Sequence, residues 1–438
     1  MALRLDSSQA DFAPRFEAFL TAGRGEAAAV EAAVAAIIAA VREGGDNALC
    51  EATLRFDHVR VEPGRLRISP PELLAAAASV SEKENSAIRL AAERIEAFHR
   101  RQIPPDLALT DEAGLRLGLR WRPLDAVGVY APGGKAAYPS TVLMTAVPAR
   151  VAGVGRIVMC VPCPGGEISP LVAAAARFAG ISEVYRVGGA QAIAAMAYGT
   201  AAISPVDRIV GPGNLYVAEA KRQVFGRVGI DSIAGPSEVV ILADRANDPR
   251  LVAIDLLAQA EHDEAAQAIL ITDDAAFADR IEEAVAEALA RLPRAAIAGA
   301  SWAAHGAVIL VRGWDEAASL VNRIAPEHVE ILLDEPELVF AKIRHAGAVF
   351  LGRFAPEALG DYVAGPNHVL PTGRTARFSS GLSVLDFLKR TSFMAANRAS
   401  LARIGLAAVT LAEAEGLDAH AESVRIRLED SSKGFQLD

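Results

Sequence analysis

Arg156-Ile157-Val158-Met159-Cys160-Val161 is the stretch whose reading decides the fold. It is a short apolar run, rich in β-branched residues and ended by Pro162, and it reads as a strand. Similar runs stand on either side: Val127-Gly128-Val129-Tyr130 before it, Glu183 to Val187 and Arg208-Ile209-Val210 after it, with Gly/Pro turns and alanine-rich helical segments between them. Such alternation implies a parallel sheet flanked by helices. The pattern resumes at Val239 to Leu242, then a helix opens at Asp248-Pro249, a capping residue followed by proline at the first helical position, and runs to the region of His262. Ala268 to Ile271, Ala307 to Val311, Val329 to Leu333 and Ala348 to Leu351 read as further strands, so a second α/β layer follows the first.

The flanks read differently. Phe12, Phe16 and Phe19 share a helical stripe near the N-terminus that needs a partner surface, and docking on another subunit is the expectation. From Glu26 to about Leu107 the pattern is mostly helical and is closed by Pro104-Pro105. The last stretch returns to helix and ends in the amphipathic segment Asp418 to Leu428. At 438 residues, 52% hydrophobic and 22% charged, the chain is long enough for two or more globular domains. A formal charge of -10 argues against a nucleic-acid footprint and for a small-molecule substrate.

Three cysteines, Cys50, Cys160 and Cys163, do not make a disulfide framework, and the Cys-x-x-Cys pair lies in and just after a strand-like run with no second pair to complete a metal site. The N-terminus lacks the apolar core of a signal peptide, and the apolar run Ala27 to Val41 is broken by Glu31. A soluble cytoplasmic protein without a membrane span is expected.

Four places concentrate chemistry. Gln259 and His262 are three apart at the C-terminal end of a helix, an end that attracts cations, although a structural pair satisfies the same spacing. Glu327 and His328 follow Pro326 at a corner before a strand, where a carboxylate and an imidazole can divide general base work; a hydrogen-bonded loop pair is the plainer alternative. Asp361 and His368 lie in the Gly/Pro-rich loop Gly360 to Pro371, and Glu415 and His420 flank Gly416 and Asp418 near the last helix. His58, His99, His305 and His345 read as solvated. The turns Ala131 to Gly134, Gly188 to Gln191 and Gly211 to Asn214 each follow a strand, but none is G-x-G-x-x-G and Lys135 is not followed by Ser or Thr, so ordinary βα turns fit as well as a dinucleotide site.

Along nearly its whole length the chain resembles the histidinol dehydrogenases. The resemblance rests on Gly128 to Gly134, Gly188 to Ala192, Gly211 to Asn214, Ala234 to Glu238, Gln259-Ala260-Glu261-His262, Pro326-Glu327-His328, Gly360 to Pro371 and Glu415 to His420, all in order. It implies two incomplete Rossmann-like parallel-sheet domains, with small helical terminal segments intertwined in a homodimer. The expected division is a dimerisation arm over 1–24, a discontinuous metal and catalytic domain over 25–127 and 239–382, an NAD-binding domain over 128–238, and a C-terminal helical domain over 383–438.

The implied reaction oxidises L-histidinol through L-histidinaldehyde to L-histidine with two NAD⁺. One Zn²⁺ per subunit would be held by Gln259, His262, Asp361 and His420, a nitrogen and oxygen set that leaves positions open for substrate. His328 would take the alcohol proton and Glu327 would activate the hydrating water. Ser237, His368 and Glu415 would touch the substrate, and Tyr130, Gln191 and Asn214 the NAD. Glu415 and His420 would reach the partner's active site. Thr145 stands where Asn is expected, and Cys160 and Cys163 are not family hallmarks. The competing readings are a paralogue acting on another polar alcohol, a zinc hydrolase, and a non-catalytic metal-binding scaffold.

Overall fold

Strands of purely apolar sequence need cover on both faces, and two parallel sheets wrapped in helices supply it. The computed structural model describes residues 2–22, 28–133, 137–181 and 183–430. Gly134, Lys135 and the expected boundary at residue 24 lie outside the described residues. In chain order the strands are β1 (Leu3–Asp6), β2 (Arg67–Ile68), β3 (Leu107–Thr110), β4 (Arg116–Pro123), β5 (Ala126–Tyr130), β6 (Arg156–Cys160), β7 (Glu183–Tyr185) and β8 (Arg208–Val210). They continue as β9 (Gly229–Ile230), β10 (Glu238–Ala243), β11 (Gln267–Thr272), β12 (Ala307–Leu310), β13 (His328–Leu332), β14 (Ala348–Leu351) and β15 (Leu388–Ala395). The chain divides into two compact units, Met1–Gln102 with Leu124–Phe387, and Ile103–Pro123 with Leu388–Asp438.

The first unit holds two six-stranded sheets. One has the order β2-β7-β6-β5-β8-β9, parallel except for β2. From β5 the chain steps outward to β6 and β7, then crosses to β8 on the other side, which leaves a crevice at the carboxyl ends of β5 and β8. Strand alternation sorts the side chains. Val127, Val129, Ile157 and Met159 join one core with Ile88, Ile95 and Val142, whereas Val158, Cys160 and Ile209 face the other with Val34, Leu49 and Ile193. Both Cys160 and Cys163 are free and buried, and burial pushes each thiol up to about 12, so the structural reading of the pair stands.

The other sheet has the order β1-β12-β11-β10-β13-β14 and is parallel throughout. It repeats the scheme of the first, with β10 at the centre and a crossover to β13. The expected N-terminal arm behaves otherwise: β1 is the edge strand of this sheet, and Phe16 is fully buried in the chain's own core beside Leu5, Ile309 and Val321, with Phe12 and Phe19 packed against it. A stripe of three phenylalanines does need a partner, and here the sheet supplies it. The helices Ala28–Asp57, Pro70–Ala78 and Glu82–Arg100 also differ from expectation, because they cover the first sheet and not the one built from 238–351.

The second unit is a small antiparallel sheet, β3-β4-β15, and two helices, Arg398–Ala414 and Asp418–Asp430, whose close approach Gly405 permits: a Cβ there would meet Leu428 at 3.2 Å. Of its strands, β15 falls where helix was expected, its residues being largely exposed and without apolar alternation, while β3 and β4 follow the helical stretch that Pro104-Pro105 closes. Among the described residues, no helix is long and apolar enough to cross a membrane.

Candidate active site

In the second sheet the chemistry gathers at the amino ends of the strands. Glu238 opens β10 and His328 opens β13, and the parallel register sets Val239 beside His328. The helix Pro249–Ala260 runs back from the far edge, so its C-terminal end delivers Gln259 and His262 to this same amino edge. Asp248 caps its start by accepting from Arg250 N at 2.9 Å. From β14 the chain returns through Glu357–Leu359 into one π-helical turn, Gly360–Ala364, that carries Asp361. Gly360 is required there: a Cβ would lie 2.3 Å from the Phe350 ring.

His328 lies at the centre, 4% exposed. Its Nδ1 is 3.2 Å from the Glu238 carbonyl oxygen, 3.5 Å from Glu357 Oε1 and 3.9 Å from Glu327 Oε2, and its Nε2 is 3.9 Å from Asp361 Oδ1. His368 Nδ1 is also 3.9 Å from Asp361 Oδ1. The Glu327 carboxylate accepts from Glu238 N at 3.1 Å, with the Ser237 side chain near enough to favour its charged form. With its amide oriented as its neighbours require, Gln259 donates to Glu357 Oε1 at 2.6 Å and accepts from Glu238 N at 3.3 Å. Behind them Glu357 N donates to Glu330 Oε1 at 2.6 Å.

Burial sets the electrostatics. It pushes His328 down to about 3 and His368 to about 4, holding both rings neutral. It raises Glu327 and Glu357 well above the ordinary carboxylate range, Glu330 to about 8 and Asp361 to about 6. His262 is close enough to act electrostatically on both His328 and His368, although it is more exposed than either.

This cluster has the chemistry of a divalent-cation site. Four carboxyl groups crowd together with their charged forms disfavoured, and His328 Nε2 is buried without a hydrogen-bond partner. One donor atom each from His328, Glu357 and Asp361 falls within 4.8 Å of the others. Of the expected metal set, Gln259, His262 and Asp361 lie at this edge. His420 and Glu415 belong to the second unit, where both are exposed beside the start of its last helix.

The structure also brings in Glu357, Glu238 and Glu330, which sequence reading passed over. Glu357 stands four residues before Asp361 and just after Pro356, a helical spacing that was open to view. Asn367 is another omission. It is buried, donates to Met144 O at 2.6 Å and accepts from Val369 N at 2.9 Å, fixing the loop around His368. His99, expected to be solvated, is fully buried and bonded through Nδ1 to Ile95 O at 2.8 Å, because its helix face packs on the first sheet.

Tyr130, Gln191 and Asn214 lie apart, at the carboxyl edge of the first sheet. The Tyr130 hydroxyl accepts from Gly189 N at 3.0 Å, and Asn214 Oδ1 caps the helix Leu215–Val224 by accepting from Tyr216 N and Val217 N at 3.1 Å each. Gln191 is buried with its Nε2 unpartnered. Gly211 has φ +117, and a Cβ there would lie 2.1 Å from Tyr130 O, so only glycine lets the two turns meet at the crevice. Two helix N-termini and an unsatisfied amide suit the phosphates and polar groups of a dinucleotide.

The chain is similar to known proteins along nearly its whole length. The histidinol dehydrogenase of Gluconobacter oxydans (strain 621H) is 63% identical over 426 residues, 97% of this chain and 99% of that protein. That of Rhodospirillum rubrum is 59% identical over 98% of this chain and 99% of its own. The crystal structure of histidinol dehydrogenase from Elizabethkingia anophelis superposes with a TM-score of 0.93 at 35% identity, covering 98% of each chain. A family model described as histidinol dehydrogenase matches residues 21–428, which takes in every strand but β1 and every residue of the amino-edge cluster. The chain belongs to the histidinol dehydrogenase family of oxidoreductases.

Proposed function

We propose that the protein is a zinc-dependent, NAD-linked enzyme that oxidises L-histidinol to L-histidine by way of L-histidinaldehyde. The observation that carries the reading is the adjacent pair Glu327 and His328, buried side by side with opposite electrostatic shifts. His328, held neutral, is the base that takes the alcohol proton through Nε2. Glu327, its pKa raised by burial above the ordinary carboxylate range, takes a proton from the water that hydrates the aldehyde. Ser237 and His368 orient the polar substrate beside this pair.

Gln259, His262 and Asp361, joined by His420, would hold the zinc ion. When bound, Zn²⁺ supplies a fixed positive charge that anchors the imidazole and amine of the substrate and balances the buried carboxylates. Tyr130, Gln191 and Asn214 would hold NAD⁺, which accepts the two hydrides in turn. In the homodimer this reading implies, Glu415 and His420 complete the partner's site, and the setting is the cytoplasm.

Purified enzyme given limiting L-histidinol is expected to release two NADH per substrate molecule; one NADH, or none, would sink the assignment. Turnover without NAD⁺ would point instead to a hydrolase built on the same cluster.

A further inference from the structure

Away from the catalytic pair, the first unit carries a cavity of about 490 Å³ whose wall gathers four arginines and a lysine. Arg323, Lys342, Arg344, His345, Arg374 and Arg377 line it, with Asp315 as the sole carboxylate among the lining residues. This is unexpected in a chain of net charge -10. Lys342 pairs with Asp315 and Arg323 with Glu17, but among the described residues no carboxylate lies within ion-pair distance of Arg344, Arg374 or Arg377.

The guanidinium groups are also held together by design of the backbone. Arg374 donates to Arg323 O at 3.0 Å, and Arg377 donates to Arg374 O at 3.1 Å. Bringing like charges together is unfavourable unless an anion neutralises them. Arg374 adds two further signs of a built site. It adopts φ +66, a conformation that costs a non-glycine residue free energy, and its Nε is buried without a hydrogen-bond partner.

We propose that this cavity binds a small anion bearing an oligophosphate group. Planar guanidinium forks match phosphate oxygens two at a time, and the volume lies in the range of small-molecule sites. Lys342 contributes a further point charge at the rim. The turn that carries Arg374 and Arg377 begins at Thr372, whose Oγ1 accepts from Gly235 N at 2.6 Å, so an occupant would steady a segment two residues from Ser237.

The test is calorimetric titration of the full-length, metal-loaded protein with inorganic pyrophosphate and, separately, with ATP, at fixed ionic strength set by chloride. Saturable binding is expected with at least one of them; a preference for ATP identifies a nucleotide as the source, and equal affinities identify the phosphates alone. Arg344→Gln with Arg377→Gln, both exposed, should weaken binding at least about tenfold, and Ser319→Glu, which adds a carboxylate to the cavity wall, should do the same. No saturable binding, or undiminished affinity in both folded variants, would overturn the proposal.

Discussion

His328 donates from Nδ1 to the backbone oxygen of Glu238, 3.2 Å away on the neighbouring strand, and this bond fixes which ring nitrogen is basic. A carbonyl oxygen only accepts, so the proton of the neutral ring resides on Nδ1 and Nε2 is left bare towards Asp361. His328→Asn keeps an N–H near the Nδ1 position and removes Nε2. Turnover should fall by about 10²–10⁴ with the melting temperature nearly unchanged. A folded His328→Asn enzyme within threefold of the parent kcat would show that this ring is not the base.

Stability against pH should separate the two kinds of buried group. A carboxyl raised in the folded state stabilises it fully below its unfolded pKa, near 4.5, and that contribution is lost as pH rises through the folded value. Glu330, pushed up to about 8, therefore predisposes chelator-treated protein to a falling melting temperature between pH 6 and 8. Glu330→Gln, which can still accept from Glu357 N, should flatten that fall. For His368 the sign reverses: its ring, pushed down to about 4, contributes fully above pH 6.5 and progressively less towards pH 4. Zn²⁺ should raise the melting temperature more at pH 8 than at pH 6, because ionised carboxyls bind it better. Equal shifts at both values would count against a carboxylate-lined metal site.

Both sheets were legible because β6, β10 and β13 are apolar runs set between turns, a local signal. The cluster at the amino edge of the second sheet was legible only in pieces. Spacing exposed the pairs Gln259/His262 and Glu327/His328, but nothing local tells that the amino ends of β10 and β13 meet the end of one helix and a π-turn. Phe16 was read as unpartnered because its cover, Ile309 and Val321, lies some three hundred residues along the chain. The strand β15 was missed because Leu388 to Ala395 is too polar and exposed for an alternation test, whereas β4 does alternate, with Leu117, Leu119 and Trp121 set between Arg116, Gly118, Arg120 and Arg122, and that signal was open to view.

Asn367 tests how the His368 loop is held. Its amide bridges Met144 O, under the first sheet, and Val369 N, within the loop. Asn367→Ala would leave a buried carbonyl and a buried N–H without partners, at a cost of about 1–3 kcal/mol each. The melting temperature should drop, and zinc content after dialysis should drop with it, since Asp361 and His368 share this segment. Loss of stability with full zinc retention would mean that the loop does not position the metal ligands.

Lys221 is the last link between fold and chemistry. It is 1% exposed, pairs with Asp231 and donates to Gly211 O at 3.1 Å, while Gly211 N donates to Asp231 Oδ2 at 2.7 Å. The buried pair thus clamps the Gly211-to-Asn214 turn at the crevice between β5 and β8. Lys221→Met leaves Asp231 buried without its cation, which typically costs about 3–5 kcal/mol, whereas adding Asp231→Asn removes the stranded charge and should recover part of the loss. If the turn is what receives the dinucleotide, the double variant should raise KM for NAD⁺ several-fold and leave KM for the alcohol near the parent value. A rise confined to the alcohol KM would place the dinucleotide elsewhere and leave Lys221 a purely structural role.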